Sequence, residues 1–468
     1  MGGFADRLYA SSPVWMQNIG VAAYGAYLHR RRYGGKCRNY AQELAANEKK
    51  SASELRALQE QQLRRLLDEV VPRTPWYRDL AKRAGFQWQD VRDLDDLRQL
   101  PILDKESVRA ENTSFVSGFP PGERVYTSST SGTTNMPLTV YMNRTTDRRS
   151  YAFYLRQMAW MGVTMGDRRA TFFGRMVVPP RQEGPPYWRY DPSESNWQFS
   201  SYHISPRSLP HYGRKLAEIR PVEIRGYPSS IAAVARFLVE DRSVTVRPKA
   251  VHTTAETLSP DARRLIETAF EAPVFDQYGS SEMSHFVTQC ERGVYHAHPE
   301  YGVVEVLRDG KAVGPGETGE VVATSFVALC MPLIRYRLGD VMEVDGSPCD
   351  CGRAFPTFRR VLGRQDDVIV TPDGRLIGRL DPAFKGVDGI LESQVEQVAS
   401  DRVVVRIVPS PEFRNEAAEV IRRQVAERLG PTVSVSTEIH GSLARGPGGK
   451  LRAVIALRRA DAAQRDPA

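Results

Sequence analysis

The sequence is poor in cysteine and in long apolar runs. Five cysteines in 468 residues do not make a disulfide framework, which favours a reducing cytoplasm. The apolar stretch 14–28 is interrupted by Gln17 and Asn18, and its basic cluster follows it, so it resembles neither a cleavable signal peptide nor a bilayer-spanning helix. We expect residues 1–50 to form a helical segment that docks on the protein surface, without stable membrane insertion. A helix that lies on a membrane surface is the alternative.

The chain also lacks a long basic tract, an internal repeat and any low-complexity segment. Its net charge is +8, but lysine and arginine are scattered and do not alternate with aromatic residues, which argues against a nucleic-acid partner. The positive charge suits an anionic small molecule as well. With 41% hydrophobic and 26% charged residues, the composition is typical of a globular protein with two or three domains.

Short β-branched runs alternate with helical patterns from about residue 120 to 345, and this alternation predicts an α/β fold with largely parallel strands. The character changes near residue 363, where an α+β module begins, with strands at 402–408 and 432–438 and a helix at 415–429 between them. We therefore expect an N-terminal domain at 1–365, a C-terminal domain at 366–460 and a frayed tail at 461–468.

Residues 127–137 form the most informative stretch, with seven hydroxyl side chains around one glycine. Backbone N–H groups beside a glycine, together with short hydroxyl donors, suit the oxygens of a polyphosphate. No Gly-Lys-Ser/Thr follows, so this is not a Walker loop. The predicted phosphate-binding residues are Ser129, Thr130, Ser131, Gly132, Thr133 and Thr134.

Four further stretches carry chemistry in chain order. In 276–282, Tyr278 could stack on a purine, Ser281 could bond a phosphate and Glu282 could hold Mg²⁺. In 336–340, Asp340 next to a glycine could accept hydrogen bonds from two ribose hydroxyls. The others are 363–367, at the domain boundary, and 448–452, a glycine turn that carries Lys450.

Together these ordered stretches resemble the core motifs of the adenylate-forming enzymes, which include acyl-CoA synthetases, peptide-synthetase adenylation domains and luciferases. The phenylacetate–CoA ligase-like branch, and within it the subgroup associated with capsular polysaccharide genes, is the most similar. The stretches 100–105, 226–230 and 392–395 add to the resemblance, which runs from about residue 50 to 457. It implies a large N-terminal domain with several packed sheets and helices, and a small mobile C-terminal domain hinged at Asp366.

The reaction that the resemblance implies joins a carboxylic acid to AMP from ATP with release of pyrophosphate, and the family name suggests an aryl or aryl-acetic acid. A nucleophile, with CoA as the first expectation, then displaces AMP. By position, Lys450 would bridge the carboxylate and the α-phosphate, and Glu282 would hold Mg²⁺. The remaining nucleotide contacts implied are Ala255, Glu256, Gln277, Tyr278, Gly279, Ser281, Asp340 and Arg364.

The sequence departs from the wider family pattern at Asn135, Leu138 and the residues before Lys450. Three alternatives stay open: an adenylyltransferase that leaves AMP on its product, a CoA-independent ligase that forms an N–N or amide bond, and an inactive scaffold. The intact Glu282, Asp340 and Lys450 argue against the scaffold. The acid, the acceptor and the oligomeric state, with a homodimer as one option, cannot be determined from the sequence.

Two further groups of residues are candidates for the site. Cys290, His296, Cys349 and Cys351 offer three thiolates and an imidazole from two turns, a ligand set for structural tetrahedral Zn²⁺, with His298 as a competing ligand. The acid pocket is predicted around His203 and the stretch Gly226, Tyr227 and Pro228. For His203 the alternative is a core histidine with its hydrogen bonds satisfied. Arg175 and the stretch 177–190 could shape the substrate side, and the alternative there is a loop that clamps the protein's own surface.

Overall fold

The computed structural model describes residues 4–129, 138–205, 207–258, 260–362, 369–373, 376–377, 380–384, 387, 389–443 and 454–456. The α-helices in these ranges are α1 (Phe4–Ser11), α2 (Val14–Tyr33), α3 (Cys37–Asn47), α4 (Ala52–Arg65), α5 (Pro75–Ala84), α6 (Leu94–Leu97), α7 (Lys105–Ala110), α8 (Arg144–Trp160), α9 (Leu209–Ile219), α10 (Pro228–Glu240), α11 (Pro260–Phe270) and α12 (Asn415–Leu429).

The strands of the N-terminal part are β1 (Tyr126–Ser129), β2 (Thr139–Met142), β3 (Arg169–Phe173), β4 (Trp188–Asp191), β5 (Asn196–Ser200), β6 (Glu223–Gly226), β7 (Ala250–Thr254), β8 (Val274–Gly279), β9 (Phe286–Gln289), β10 (Tyr295–Ala297), β11 (Gly302–Arg308), β12 (Lys311–Ala312), β13 (Thr318–Ser325), β14 (Tyr336–Val344) and β15 (Thr357–Val361). The later strands are β16 (Ile369–Val370), β17 (Leu376–Ile377), β18 (Ile390–Ala399), β19 (Arg402–Pro409), β20 (Ser434–Ile439) and β21 (Val454–Ile455).

Thirteen strands form one continuous sheet in the order β12-β11-β13-β14-β15-β10-β9-β8-β7-β6-β3-β5-β4. Strands β5, β3, β6, β7 and β8 run parallel, and α9, α10 and α11 connect β5 to β6, β6 to β7 and β7 to β8. Because these strands are parallel, their carboxyl ends all lie at one edge of the sheet. The predicted α/β class is confirmed, and the strands predicted at 169–173 and 250–254 have the bounds of β3 and β7.

Two hydrophobic cores flank this long sheet. One packs the antiparallel strands β10, β11, β13 and β14 against the segment 63–119, around fully buried Tyr77, Phe115 and Tyr336. The other packs β3, β5, β6, β7 and β8 against α9, α10 and α11, around Phe172, Phe199 and Tyr212. The parallel and antiparallel halves are thus covered by different elements, and β8 and β9 join them as an antiparallel pair.

The C-terminal residues have a sheet and a core of their own. The sheet has the order β20-β19-β18-β21, and α12 packs on it through Ile421, Val425 and Leu429. The predicted helix 415–429 is confirmed as α12, and the predicted strands correspond to β19 and β20. The boundary at 365–366 and the tail 461–468 lie outside the described residues, so the division into domains at that point stays a prediction.

The N-terminal segment is helical, as expected, and α2 lies along the edge strand β4. A Cβ atom on Gly25 would come within 2.2 Å of the Asp191 carboxylate, so only glycine permits this close approach. Among the described residues, no helix is both long and apolar enough to cross a bilayer.

Candidate active site

The carboxyl ends of β7 and β8 bring six of the predicted nucleotide residues to one edge of the sheet. Gln277, Tyr278 and Gly279 close β8, while Ala255 and Glu256 follow β7. The Glu256 carboxylate accepts a hydrogen bond from the backbone N–H of Ser229, in the first turn of α10 (3.1 Å). Ala255 has a φ of 70°, a left-handed conformation that a residue with a Cβ rarely adopts. Such strain is concentrated at functional sites.

Tyr278 and Asp340 meet although 62 residues separate them. The Tyr278 hydroxyl donates a hydrogen bond to Asp340 Oδ2 over 2.9 Å. Asp340 lies on β14 directly after Gly339, whose φ of 79° supplies the turn of the chain there. The Tyr278 ring also lies 4.3 Å from the His285 ring, and burial lowers the pKa of His285 to about 4. The sequence did not indicate His285, which packs its neutral ring against the Tyr278 ring.

Glu282 is buried, with 5% of its surface exposed. The Lys105 ammonium lies 3.0 Å from Glu282 Oε1, and the Tyr336 hydroxyl donates to the same oxygen over 3.2 Å. Burial raises the pKa of Glu282, but the Lys105 charge and the hydrogen bonds outweigh this, so the net pKa lies below the usual value. Lys105 belonged to a stretch that only supported the resemblance, and its role as counter-charge was missed.

A buried carboxylate that stays ionised suits Mg²⁺, which in nucleotide sites takes one or two carboxylates and draws further oxygens from substrate phosphates. Ser281 directly precedes Glu282 in the chain, and Ser280 and Ser284 share a hydrogen bond of 2.9 Å that closes the turn. The turn therefore holds Glu282 at the strand edge beside Tyr278 and Asp340.

The predicted acid-pocket residues lie along the same edge. Gly226 ends β6, where an added Cβ would lie 2.4 Å from the Phe172 carbonyl oxygen. Tyr227 precedes α10, with Pro228 as its first residue, and the Tyr227 ring contacts Phe173 at 5.5 Å. His203 lies after β5, and its Nδ1 is 2.7 Å from Ser200 Oγ. Its role in an acid pocket stays a prediction.

A polar cavity of about 290 Å³ opens between α2, α8 and the face of β3 and β5. Its charged lining consists of Arg32, Arg169, Arg175, Arg225, Asp191 and Glu194. Arg169 pairs with Glu223 at 2.5 Å and with Glu194 at 3.3 Å. Arg32 and Arg225 instead lie over the rings of Tyr151 and Tyr154, and the Nε of each has no hydrogen-bond partner among the described residues.

The four predicted zinc ligands come together between the β9–β10 turn and the loop before β15. Their ligand atoms all lie within 4.8 Å of one another. Cys290 Sγ is 3.8 Å from Cys349 Sγ, and Cys351 Sγ is 3.5 Å from His296 Nε2. His298, the competing ligand, bonds Arg156 and Thr288 through its two ring nitrogens and stacks on Trp160.

Several predicted residues fall outside the described ranges. They are Thr130, Ser131, Gly132, Thr133 and Thr134 of the hydroxyl loop, Arg364, the hinge Asp366 and Lys450. Ser129 is the last residue of β1, which pairs with β2 across that loop.

Comparison with known proteins agrees with this arrangement. Residues 369–456 match the family model of the CapK C-terminal domain. The chain is 26% identical over 456 residues to protein CapK of Staphylococcus aureus, which covers 96% of this chain and 99% of that protein. It is 25% identical over 443 residues to phenylacetate–coenzyme A ligase of Thermus thermophilus, covering 86% and 97%.

Among solved structures, 2-hydroxyisobutyryl-CoA ligase in complex with 2-HIB-AMP and CoA superimposes with a TM-score of 0.58 at 20% identity, over 89% of this chain and 93% of that one. The fold is therefore that of the adenylate-forming CoA ligases. The predicted resemblance to the phenylacetate–CoA ligase-like branch, and to its subgroup associated with capsular polysaccharide genes, is confirmed over nearly the whole chain. The names of these relatives are consistent with the predicted enzyme class, a ligase.

The Lys105–Glu282 pair gives a stability prediction. Replacing Lys105 by methionine leaves a buried carboxylate without its counter-charge, and we expect a loss of about 3 kcal/mol in the free energy of unfolding at pH 7, measured by urea denaturation. Because the folded pKa of Glu282 is depressed, the pair's contribution is present above the unfolded pKa of about 4.3 and is lost as pH falls through the folded value.

The double variant Lys105→Met/Glu282→Gln should lose less than the sum of the two single variants. Lys82→Met, at an exposed position on α5, is the matched control and should change stability by about 0.5 kcal/mol or less. Additive single losses would show that the two side chains do not interact.

Proposed function

We propose that the protein is an ATP-dependent, adenylate-forming ligase. It activates a carboxylic acid by attack of the carboxylate on the α-phosphate of ATP, which forms an acyl-adenylate and releases pyrophosphate. A nucleophile, most simply CoA, then attacks the acyl carbon and releases AMP. CoA is favoured because the Thermus thermophilus relative is named phenylacetate–coenzyme A ligase and the superimposed structure contains CoA.

The observation that carries this proposal is the hydrogen bond between Tyr278 and Asp340, with Glu282 buried in the turn directly after β8. A nucleoside triphosphate needs three groups in its site: an aromatic face for the base, a carboxylate for the ribose and a buried carboxylate for Mg²⁺. The hydrogen bond between Tyr278 and Asp340 holds the first two at a fixed spacing. No single stretch of sequence contains this set.

The remaining roles follow from the resemblance. The hydroxyl loop from Ser129 to Thr134 would hold the β- and γ-phosphates, and Arg364 would join Asp340 at the ribose. Lys450 would lie between the carboxylate and the α-phosphate, where its charge favours the transition state over the ground state. A lysine on a separate domain, hinged at Asp366, can be withdrawn for the second step.

The proposal is tested by incubation with ATP, Mg²⁺ and a panel of carboxylic acids, with and without CoA, and by mass spectrometry of the products. We expect pyrophosphate and AMP with one class of acid, and an acyl-CoA only when CoA is present. Glu282→Gln should reduce the rate by about 100-fold or more, because the Mg²⁺ ligand is lost. Glu240→Gln, at an exposed position on α10, is the control.

A stable adenylylated product that persists with CoA would identify an adenylyltransferase instead. An amide or N–N product in the presence of an amine would identify a CoA-independent ligase. Failure to bind ATP at all would contradict the proposal itself.

For the acid, the arginine-lined cavity favours a polar, anionic substituent over an unsubstituted aryl group. Phe173 links the two regions, since its ring contacts both Arg225 in the cavity (5.3 Å) and Tyr227 at the strand edge (5.5 Å). The lining has four arginines and only two carboxylates, and an apolar ring would leave this excess of positive charge unbalanced in a partly dehydrated space, which is unfavourable. A second carboxylate or a phosphate on the acid would pair with the arginines.

Matched acids test this proposal. Glutarate and valerate have equal chain lengths and differ only in a terminal carboxylate or methyl group. We expect pyrophosphate exchange to favour glutarate, and Arg175→Met and Arg225→Met each to reduce that preference by about 10-fold, while Arg214→Met on the exposed face of α9 leaves it unchanged. Equal use of both acids by the wild type would contradict a polar pocket.

We also propose that the thiol–imidazole cluster holds a structural Zn²⁺. Zinc–sulfur bonds of about 2.3 Å at tetrahedral angles place neighbouring sulfurs about 3.8 Å apart, in agreement with the Cys290–Cys349 separation of 3.8 Å. Four protein ligands leave no open position, so the ion would be structural and would fasten the β9–β10 turn to the loop before β15.

Protein purified without chelator should contain about one zinc per chain by elemental analysis. Cys351→Ser should lower the zinc content and the melting temperature together. Cys330→Ser, which removes a buried thiol away from the cluster, should leave the zinc content intact. A zinc content well below stoichiometric in the wild type would refute the site.

A further inference from the structure

Helix α2 presents large apolar side chains to solvent. Trp15 is 64% exposed, Ile19 60% and Tyr27 55%. Of the nine large hydrophobic residues exposed in the described part of the chain, six lie between residues 8 and 27. Exposed apolar residues scattered singly are ordinary, whereas a contiguous set marks a contact surface.

The exposed residues of α2 form one continuous face. At about 100° per residue, Trp15, Met16, Ile19, Tyr24 and Tyr27 fall within one half of the helix circumference. The same half includes Gly20, Ala23, Ala26, Arg30 and Arg31, and of the two arginines only Arg30 is exposed. A helix at the surface of a globular protein normally presents charged residues to water, whereas the exposed face of α2 presents mainly apolar ones.

The inward half of α2 makes polar contacts with the protein as well as burying Leu28. Buried Gln17 accepts a hydrogen bond from Arg189 Nε over 2.8 Å, and Asn18 accepts one from the Tyr190 backbone N–H over 3.1 Å. Arg31 pairs with Asp147 at 2.7 Å. With Gly25 packed against Asp191, these contacts fix the rotation of the helix. These contacts keep the face that carries Trp15, Ile19 and Tyr27 turned outward.

Positive charge surrounds this face. Residues 1–42 contain six arginines and lysines and a single acidic residue, Asp6. Among them, Arg30, Lys36 and Arg38 are exposed near the carboxyl end of α2. Tryptophan and tyrosine beside cationic side chains suit the boundary between lipid headgroups and acyl chains.

We propose that the exposed face of α2 docks the protein on an anionic lipid surface. Trp15, Ile19 and Tyr27 would enter the boundary region of the bilayer, and Arg30, Lys36 and Arg38 would face the anionic headgroups. The charge around the face favours this occupant over a second copy of the chain, whose own α2 region carries the same sign of charge. The helix lies on the membrane and does not cross it.

Sedimentation with vesicles tests the proposal with the full-length protein. We expect binding to vesicles of equal parts phosphatidylcholine and phosphatidylglycerol, weaker binding to phosphatidylcholine alone, and release by salt. Trp15→Ser/Ile19→Ser should reduce the partition coefficient by about 10-fold or more. Ile439→Ser, which removes an equally exposed isoleucine on β20 (53% exposed), should bind as the wild type does.

Arg30→Glu is a second variant that keeps the apolar face and reverses one charge, and it should weaken binding to the anionic vesicles only. Circular dichroism melting curves should match the wild type for every variant, because all of these side chains are exposed. Absence of vesicle binding by the wild type would overturn the proposal. A concentration-dependent dimer in light scattering that the Trp15→Ser/Ile19→Ser variant loses, without vesicle binding, would assign the face to a second copy instead.

Discussion

A buried carboxylate is costly unless a positive charge is buried beside it. In this site the Lys105 ammonium pairs with the Glu282 carboxylate, and the arrangement of the site depends on that pair. The two residues are 177 positions apart. The segment before α7 is attached to β14 by backbone hydrogen bonds, from the Leu103 N–H to the Arg335 carbonyl and from the Arg337 N–H to the Leu103 carbonyl, each 2.9 Å. Asp104 also pairs with Arg337. These bonds fix the start of α7, and with it Lys105, beside the edge where Tyr278 and Asp340 meet.

The sequence was sufficient for features that depend on local pattern. Strand β3 and helix α12 were predicted with their observed bounds, since continuous apolar runs and helical periodicity are local signals. The thiol–imidazole cluster was predicted from residue type, because cysteine and histidine in two turns have few other uses together. The counter-charge Lys105 and the ring of His285 were not predictable, since each acts through a partner brought near only by the sheet.

Helix α2 shows a second limit of sequence reasoning. The sequence predicts a helix that docks on the protein surface at 14–28. Such a helix is expected to bury its apolar residues, but in the structure several of them face outward. The opposite orientation arises because Arg189 and the Tyr190 backbone need acceptors, and Gln17 and Asn18 provide them. Leu28 and Arg32, on the inner face of the same helix, line the arginine-rich cavity. One helix thus borders both the proposed acid pocket and the proposed lipid surface.

The central claim is that a carboxylate is activated at the α-phosphate of ATP, and oxygen labelling tests it most directly. The acid that supports pyrophosphate exchange is prepared with ¹⁸O in its carboxylate and incubated with ATP, Mg²⁺ and CoA, and the nucleotide product is analysed by mass spectrometry. If the carboxylate attacks the α-phosphate, one labelled oxygen remains on phosphorus when the thiol displaces AMP, and the AMP gains one ¹⁸O. Label in inorganic phosphate with formation of ADP, or AMP without label, would contradict the account.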